Sequence, residues 1–431
     1  MREINLKGWM KRPTAASLKR LTTENLIGLG PERMAKILMA MAEARPELKR
    51  RLRMELAAAQ GPEHLAPEID KRLTALETSR AKISWRQRPT FLRELEALRE
   101  LIAGRMAELD QSAALDRLWR FMTTARQIDS RLKDKDGHLI AVFERAALDI
   151  GALLPQADPH FGADALVTSI TRDPALWVSW LPAVLERAPT RLVEDALAQI
   201  LPRRGSLLRW PSLVRPLADA AKDADAFALT YSAEDLRSAS NAAEVARRFL
   251  DVGRTAEAGQ ILSASSPEKL AKGAGAKRNA PAPNFDWESA WIDYLEQAGQ
   301  GDAAQQARWA SFERTLSVER VRAFTGRLAD FDDVEAEGRA FAFAAASADF
   351  QNGLRFLMEW PALPEAASMI QIRSEEISLP VELAELWASR LSRRQPRAAN
   401  LLLRRAAAAA FQRRDFATCD RLTSEADALA L

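Results

Sequence analysis

Apolar residues recur at helical spacing along most of this 431-residue chain, whereas the alternation typical of β-strands is hard to find. The clearest stripe covers residues 89–109 and predicts one long helix, and a second begins at Ser112 and predicts its antiparallel neighbour. Dipeptides such as Gly30-Pro31 mark helix boundaries, because glycine suits a helix end and proline a first turn. The pattern predicts an all-α protein.

Three segments have the form of a turn between two packed helices, at residues 249–258, 294–304 and 411–417. In each, an aromatic residue closes one helix, a short polar or glycine turn follows, and a small or acidic residue begins the next. Stacked helical repeats are punctuated in this way. We therefore expect stacked helical hairpins, tetratricopeptide-like or a related α-solenoid, in the C-terminal half, beside a helical N-terminal region.

Proline and glycine clusters suggest how the chain is divided. A basic helical region is predicted over residues 1–155 and a middle helical region over 156–271. Residues 272–284 are rich in Gly, Ala and Pro and lack an apolar stripe, so they are interpreted as a flexible linker. The C-terminal helical-repeat region is predicted over residues 285–431. Apolar positions at Leu48, Leu52 and Leu56 are expected to face inward on an N-terminal helix.

Charge is unevenly distributed, although the net charge is only +3. Residues 1–105 hold 22 Lys and Arg against 13 Asp and Glu. Such a basic region with an interleaved aromatic is typical of a surface for nucleic acid or for an acidic partner, and also of solvated helix faces. The candidate surface consists of Lys49, Arg50, Arg51, Arg53, Lys71, Arg72, Lys82, Trp85, Arg86 and Arg88.

Groups that usually carry catalysis or bind metals are sparse. The acidic run Asp330, Asp332, Asp333, Glu335 and Glu337 has the oxygen ligands of a cation site, but an acidic first helical turn, with Asp332 or Asp333 as N-cap, explains it as well. We predict no catalytic residue, cofactor site or metal site.

The remaining polar candidates are also isolated. Asp134 and Asp136 fall in a turn that does not fit a calcium-loop frame. His64, His138 and His160 are far apart and are predicted at turns or on the surface, which argues against zinc. Cys419, the single cysteine, is predicted to pack inside a helix and forms no internal disulfide.

Several strings resemble a bacterial family of uncharacterised all-helical proteins, described only as a domain of unknown function. They are LTTENL at residues 21–26, EIDKRL at 68–73 with WR at 85–86, LWRF at 118–121, ERTLSVE at 313–319, FDDVEAE at 331–337 and EWPAL at 359–363. The resemblance spans nearly the whole chain and implies no functional residue.

A functional expectation follows from the fold class and from the scarcity of catalytic groups. We expect a protein-interaction scaffold or adaptor, with a nucleic-acid-associated protein that uses the basic N-terminal region as the alternative. An enzyme with carboxylates near Asp332 and Asp333 is a third hypothesis. The first residues lack a secretory apolar segment and no window could span a bilayer, so a cytoplasmic location without membrane attachment is expected. The oligomeric state is not predicted.

Overall fold

The computed structural model describes residues 21–132, 134–267, 284–329 and 331–429. Within these ranges the chain is helical and has no strand, which confirms the all-α prediction. Two compact units can be distinguished, Met1–Ala226 and Phe227–Leu431. The boundaries predicted at residues 155 and 271 remain predictions. In the described residues, no helix has the length and apolar character needed to cross a bilayer.

Many helices of the first unit start at a proline, as the sequence predicts. A proline lies in the first turn of several of them, as at Pro31, Pro46, Pro62, Pro159 and Pro174. Proline lacks a backbone N–H, but N–H groups in a first turn have no acceptor within the helix, so no hydrogen bond is lost there. The helices are α1 (Thr23–Ile27), α2 (Pro31–Ala44), α3 (Pro46–Gln60), α4 (Pro62–Thr78), α5 (Arg88–Glu100), α6 (Ala107–Leu109), α7 (Gln111–Thr123), α8 (Ala125–Asp129), α9 (His138–Leu153), α10 (Pro159–Arg172), α11 (Pro174–Leu185), α12 (Thr190–Ile200), α13 (Trp210–Ala221) and α14 (Ala224–Ala228), the last of which crosses into the second unit.

The helix predicted over residues 89–109 is one continuous run with an irregular centre. Between α5 and α6 the chain forms a π-helical segment, Leu101–Met106, so the three pieces together span the predicted range. Leu101, Ile102 and Met106 are buried there. Such segments often mark functional places in a helix.

Aromatic side chains form the centre of the first unit. Trp177 lies 5.7 Å from Trp119 and 5.8 Å from Trp180 between ring centroids, and Phe143 lies 5.6 Å from Trp180 and 5.1 Å from Phe121. All five rings are buried. They hold α7, α9 and α11 together, because large rings contribute much of the apolar area that a core removes from water.

The second unit consists of helices in its described residues. Its core joins the buried faces of successive helices, and Cys419 packs against that core as predicted. The helices are α15 (Ala239–Asp251), α16 (Thr255–Ala264), α17 (Phe285–Gln297), α18 (Gly301–Thr315), α19 (Val318–Thr325), α20 (Asp332–Ala345), α21 (Phe350–Glu359), α22 (Leu363–Ile372), α23 (Val381–Leu391), α24 (Pro396–Gln412) and α25 (Phe416–Ala428).

The three predicted hairpin turns share one backbone geometry. Each has a residue in the left-handed region, with φ of 76° at Gly253, 72° at Gly299 and 63° at Arg414. In each, the N–H that follows this residue donates to the carbonyl five positions back, as Asp415 does to Ala410 at 3.0 Å. This is the Schellman ending, which satisfies carbonyls left free at a helix end. The predicted turns are confirmed, and one of them has no glycine.

The predicted linker over residues 272–284 lies almost entirely outside the described residues. Its last residue, Asn284, is the N-cap of α17, and its side-chain oxygen accepts a hydrogen bond from the Trp287 N–H at 2.8 Å. Asn284 therefore belongs to the helix that follows.

Candidate docking groove in the N-terminal unit

The first three helices bury few residues, although they are rich in apolar side chains. Among them, only Ala42 of α2 and Ala58 of α3 are buried. The predicted inward position of Leu56 is wrong, because that side chain is 65% exposed. Large exposed patches of this kind usually mark interaction surfaces. The exposed large apolar residues on α1–α3 are Ile27, Ile37, Met39, Met41 and Leu56.

A groove of about 490 Å³ is lined by residues from the end of α2, from α3 and α4, and from α5 with its π-helical extension. Its apolar lining includes two methionines, whose flexible thioethers adapt to differently shaped ligands. Leu101 and Arg105 come from the π-helical segment. The apolar lining residues are Met41, Leu48, Met54, Ala97, Leu98 and Leu101, and the charged ones are Arg45, Arg50, Arg51, Arg72, Arg93, Arg105, Glu47, Glu55, Glu94 and Glu100.

Two of the predicted basic residues meet on one carboxylate in this groove. Arg50 of α3 and Arg72 of α4 each donate to Glu94 of α5, at 2.7 Å to its two separate oxygens. Burial holds the pKa of Arg72 below its ordinary value; Glu94 opposes that effect, and Arg50 and Arg131 add to it. These two guanidinium groups of the candidate surface are thus paired within the protein, which the sequence did not predict.

The other predicted basic residues on α3 and α4 fall into two groups. Arg51 lines the groove with Arg50 and Arg72. Lys49, Arg53 and Lys71 are exposed and are not among the groove residues. The groove also contains arginines that the candidate list lacked, at positions 45, 93 and 105, and four glutamates. Arg93, Glu94, Glu100 and Arg105 are distant in sequence from residues 49–53, so only packing reveals that they share one groove.

The loop that follows α4 carries the remaining predicted residues and is tied down by hydrogen bonds. The Arg131 carbonyl accepts from the Ile83 N–H at 3.1 Å, and Arg131 Nε donates to the Ala81 carbonyl at 2.8 Å. Gln127 Nε2 donates to the Ser79 carbonyl at 2.9 Å. Because backbone groups make these bonds, the loop has a defined path.

Exposed side chains extend from this loop. Trp85 is 72% exposed, and the Arg86 guanidinium lies 5.2 Å from the centroid of the Trp85 ring. Lys82 is exposed, whereas Arg88 is half-buried at the first position of α5, and its buried Nε has no hydrogen-bond partner. An exposed tryptophan beside an arginine can stack on a base or cover an apolar partner surface.

The acidic run in the second unit behaves as a helix start, but its cap differs from the prediction. Phe331, with φ of 77°, is the N-cap of α20, so the prediction of Asp332 or Asp333 as N-cap is wrong. Asp332, Asp333 and Glu335 lie in the first turn, where the helix dipole favours negative charge. Asp330 lies outside the described residues. An acidic first turn explains Asp332, Asp333 and Glu335, whereas Glu337 lies farther along α20.

Comparison with protein families adds the last observation. The model described as "Family of unknown function (DUF6880)" matches residues 16–174 and 202–417. Comparisons with curated proteins and with solved structures gave no match. The first matched range includes the groove, Trp85 and three rings of the aromatic core, whereas Trp177 and Trp180 lie between the two ranges, and the second range includes the three hairpin turns. Since the two ranges cover most of the chain, the protein belongs to this family of unknown function.

Proposed function

We propose that this protein is a protein-interaction scaffold or adaptor and that α1–α3 and the groove beside them receive a partner. The observation that carries the proposal is the apolar surface of these helices, with Leu56 65% and Met39 60% exposed. Apolar surface left in water contributes nothing to folding, whereas covering it with a partner is favourable by roughly 25 cal/mol per Å² of apolar area. A cytoplasmic location is part of this proposal.

Helix packing supports the scaffold architecture. Helices pack against their neighbours in sequence, as α15 does with α16 and α24 with α25, and also against the next helix but one, as α22 does with α24. Stacked hairpins have this pattern, and their repeated geometry creates extended surfaces for partners. We propose a tetratricopeptide-like or related α-solenoid for the C-terminal half.

The chemistry of the groove suggests what it receives. Its lining combines apolar side chains with six arginines and four glutamates, so an occupant needs an apolar side and charged edges that are acidic overall. An amphipathic helix from another protein meets this description, because its apolar residues at positions i, i+3 and i+4 lie on one face. Arg50 and Arg72 are already paired with Glu94, and Arg105 is paired with Glu108 at 2.8 Å, which leaves Arg45, Arg51 and Arg93 as the groove cations for such a partner.

Co-purification from native cells with a paired set of variants tests this proposal. Met41→Asp with Leu56→Asp places charge in the apolar surface, and both side chains are exposed, so folding should be retained. Leu208→Asp is the matched control, since Leu208 is 67% exposed in the same unit but outside this surface. We expect a protein partner to co-purify with the unaltered protein even after nuclease treatment. The control variant should retain this partner, and the double variant should lose it. Equal recovery with both variants would contradict the proposal.

The alternative, a nucleic-acid-associated protein, is favoured by the exposed Trp85 with Arg86 beside its ring. The exposed cations Lys49, Arg53 and Lys71 could supply phosphate contacts. Neutralisation of Arg50 and Arg72 by Glu94 weighs against it, because phosphate binding needs cations that are not already paired.

Binding to single-stranded RNA and DNA at low salt tests this alternative. Lys49→Glu with Arg53→Glu and Lys71→Glu should then abolish binding, and Trp85→Ala should weaken it. Affinity should fall steeply as salt rises, through counterion release. No binding by the unaltered protein at low ionic strength would rule the alternative out.

A further inference from the structure

The turn before α9 gathers two carboxylates and an imidazole. One ligand atom each from Asp134, Asp136 and His138 lies within 4.8 Å of the other two. Gly137, with φ of 73°, is in the left-handed region and turns the chain so that residues 134, 136 and 138 converge. In the described residues this is the one group of three such side chains at this spacing.

Asp134 is the unusual member, because its side chain is only 3% exposed. Its Oδ2 accepts a hydrogen bond from the Leu139 N–H at 2.7 Å, which fixes the carboxylate against the start of α9. Its Oδ1 is buried and has no hydrogen-bond partner. A charged oxygen that has lost water and gained no donor is costly, so the arrangement points to a positive ligand.

An ion pair within the turn does not satisfy this oxygen. His138 Nδ1 lies 3.8 Å from Asp134 Oδ1, which is beyond hydrogen-bond distance, and the His138 side chain is 66% exposed. The imidazole is therefore near the carboxylate but free to face another group. The same spacing leaves room for an ion between the two atoms.

We propose that Asp134 Oδ1, the Asp136 carboxylate and His138 Nδ1 bind a divalent first-row transition-metal ion. Imidazole and carboxylate together suit Zn²⁺ and Mn²⁺. Donors on one such ion lie about 3–3.5 Å apart, since each bond is about 2.0–2.2 Å. The observed spacing needs a small contraction, which the exposed Asp136 and His138 can make in a turn.

The charge balance of the site favours a divalent ion. Two carboxylates neutralise its charge, which offsets the unfavourable position of a cation at the N-terminal end of α9. Three protein ligands leave further coordination positions to water. The ion would hold the turn against α9, and this site is separate from the docking groove and does not depend on the proposed function.

Imidazole NMR on the full chain provides a direct test, because the sequence has only three histidines. Each of the other two also lies near a carboxylate. His64 Nε2 is 3.9 Å from Glu63 Oε1, and His160 Nδ1 is 2.9 Å from Asp195 Oδ2. They are internal controls for unspecific binding of zinc to a histidine. On titration of ¹⁵N-histidine-labelled protein with Zn²⁺, we expect the His138 nitrogens to shift and those of His64 and His160 to stay unchanged.

Variants separate the three-ligand site from a lone histidine. His138→Ala and Asp136→Asn each change an exposed side chain. Each should weaken Zn²⁺ binding by roughly tenfold or more, because a loss of that size in metal affinity follows even when a residue that only positions a ligand is changed. His160→Ala should leave binding unchanged. The proposal is overturned if Zn²⁺ moves no His138 resonance, if all three histidines respond alike, or if Asp136→Asn binds as tightly as the unaltered protein.

Discussion

Gly353→Ala should destabilise the second unit, because a Cβ on this glycine of α21 would collide with the backbone at the end of α20. A Cβ at position 353 would come 2.2 Å from the carbonyl oxygen of Ala344 and 3.2 Å from Met369 Cε. Gly353 is buried. Gly338, in α20, is the matched control, because a Cβ there would meet no atom within 4 Å.

Two opposing effects determine the magnitude. Alanine is favoured over glycine inside a helix by about 1 kcal/mol, so Gly338→Ala should stabilise by about that amount. At position 353 the methyl group must displace a backbone carbonyl, which the Ser347 N–H also contacts at 3.2 Å. Overpacking costs about 1–3 kcal/mol and more against rigid atoms, so the net effect of Gly353→Ala should be a loss of about 1–2 kcal/mol.

Hydrogen exchange measured by mass spectrometry provides the local free energies. Two compact units need not unfold together, so one global transition would mix them. Peptides from α20 and α21 should exchange faster in Gly353→Ala and more slowly in Gly338→Ala. Equal or slower exchange in both variants would refute the close approach of the two helices as the decisive effect.

Three further predictions concern single side chains. Arg414→Gly should stabilise its turn by about 1 kcal/mol, measured as slower hydrogen exchange in α24 and α25, since a left-handed residue other than glycine is strained; unchanged exchange would contradict this. The hydrogen bond from Arg120 holds the pKa of Glu77 below its ordinary value, so its stabilisation is fully present above the pKa of the unfolded state and is lost as the pH falls through the folded-state pKa. Glu77→Gln should thus cost up to about 1 kcal/mol at neutral pH and progressively less in acid, and a difference independent of pH would speak against the pairing. Arg320 is buried, donates to the Phe285 carbonyl at 3.1 Å and lies 3.8 Å from the centroid of that ring. Arg320→Lys should cost about 1–3 kcal/mol, measured as faster hydrogen exchange in α17 and α19, and unchanged exchange would show that the planar group is dispensable.

Helix positions were predictable because the causes are local. Pro46 and Pro396 begin helices wherever they occur at a break in the pattern, since their fixed φ suits a first turn. Gly253 and Gly299 end helices for a comparable reason, because glycine adopts the left-handed region at little cost. Arg414 has the same geometry without that signal, yet its turn was found from the residues on either side.

Burial was less predictable, because periodicity shows a helix face but not what covers it. Leu56 belongs to a regular stripe on α3 and is nevertheless exposed, whereas Leu73 on α4 is buried. A pattern within one helix has no information about whether a second helix lies against it. The exposure of the apolar side chains on α1–α3 therefore could not be predicted before the structure placed their neighbours.

The sequence by itself determined the all-α class, many of the helix starts and the positions of the three hairpin turns, since these depend on residues a few positions apart. Only the tertiary structure decided which charges meet. Arg50, Arg72 and Glu94 come from three helices, and their pairing changes a predicted basic face into a groove of mixed charge. Asp134 is an ordinary turn residue in the sequence, and only packing removes its carboxylate from water. Electrostatic environment and burial are properties of atoms brought together from distant positions, so no local pattern contains them.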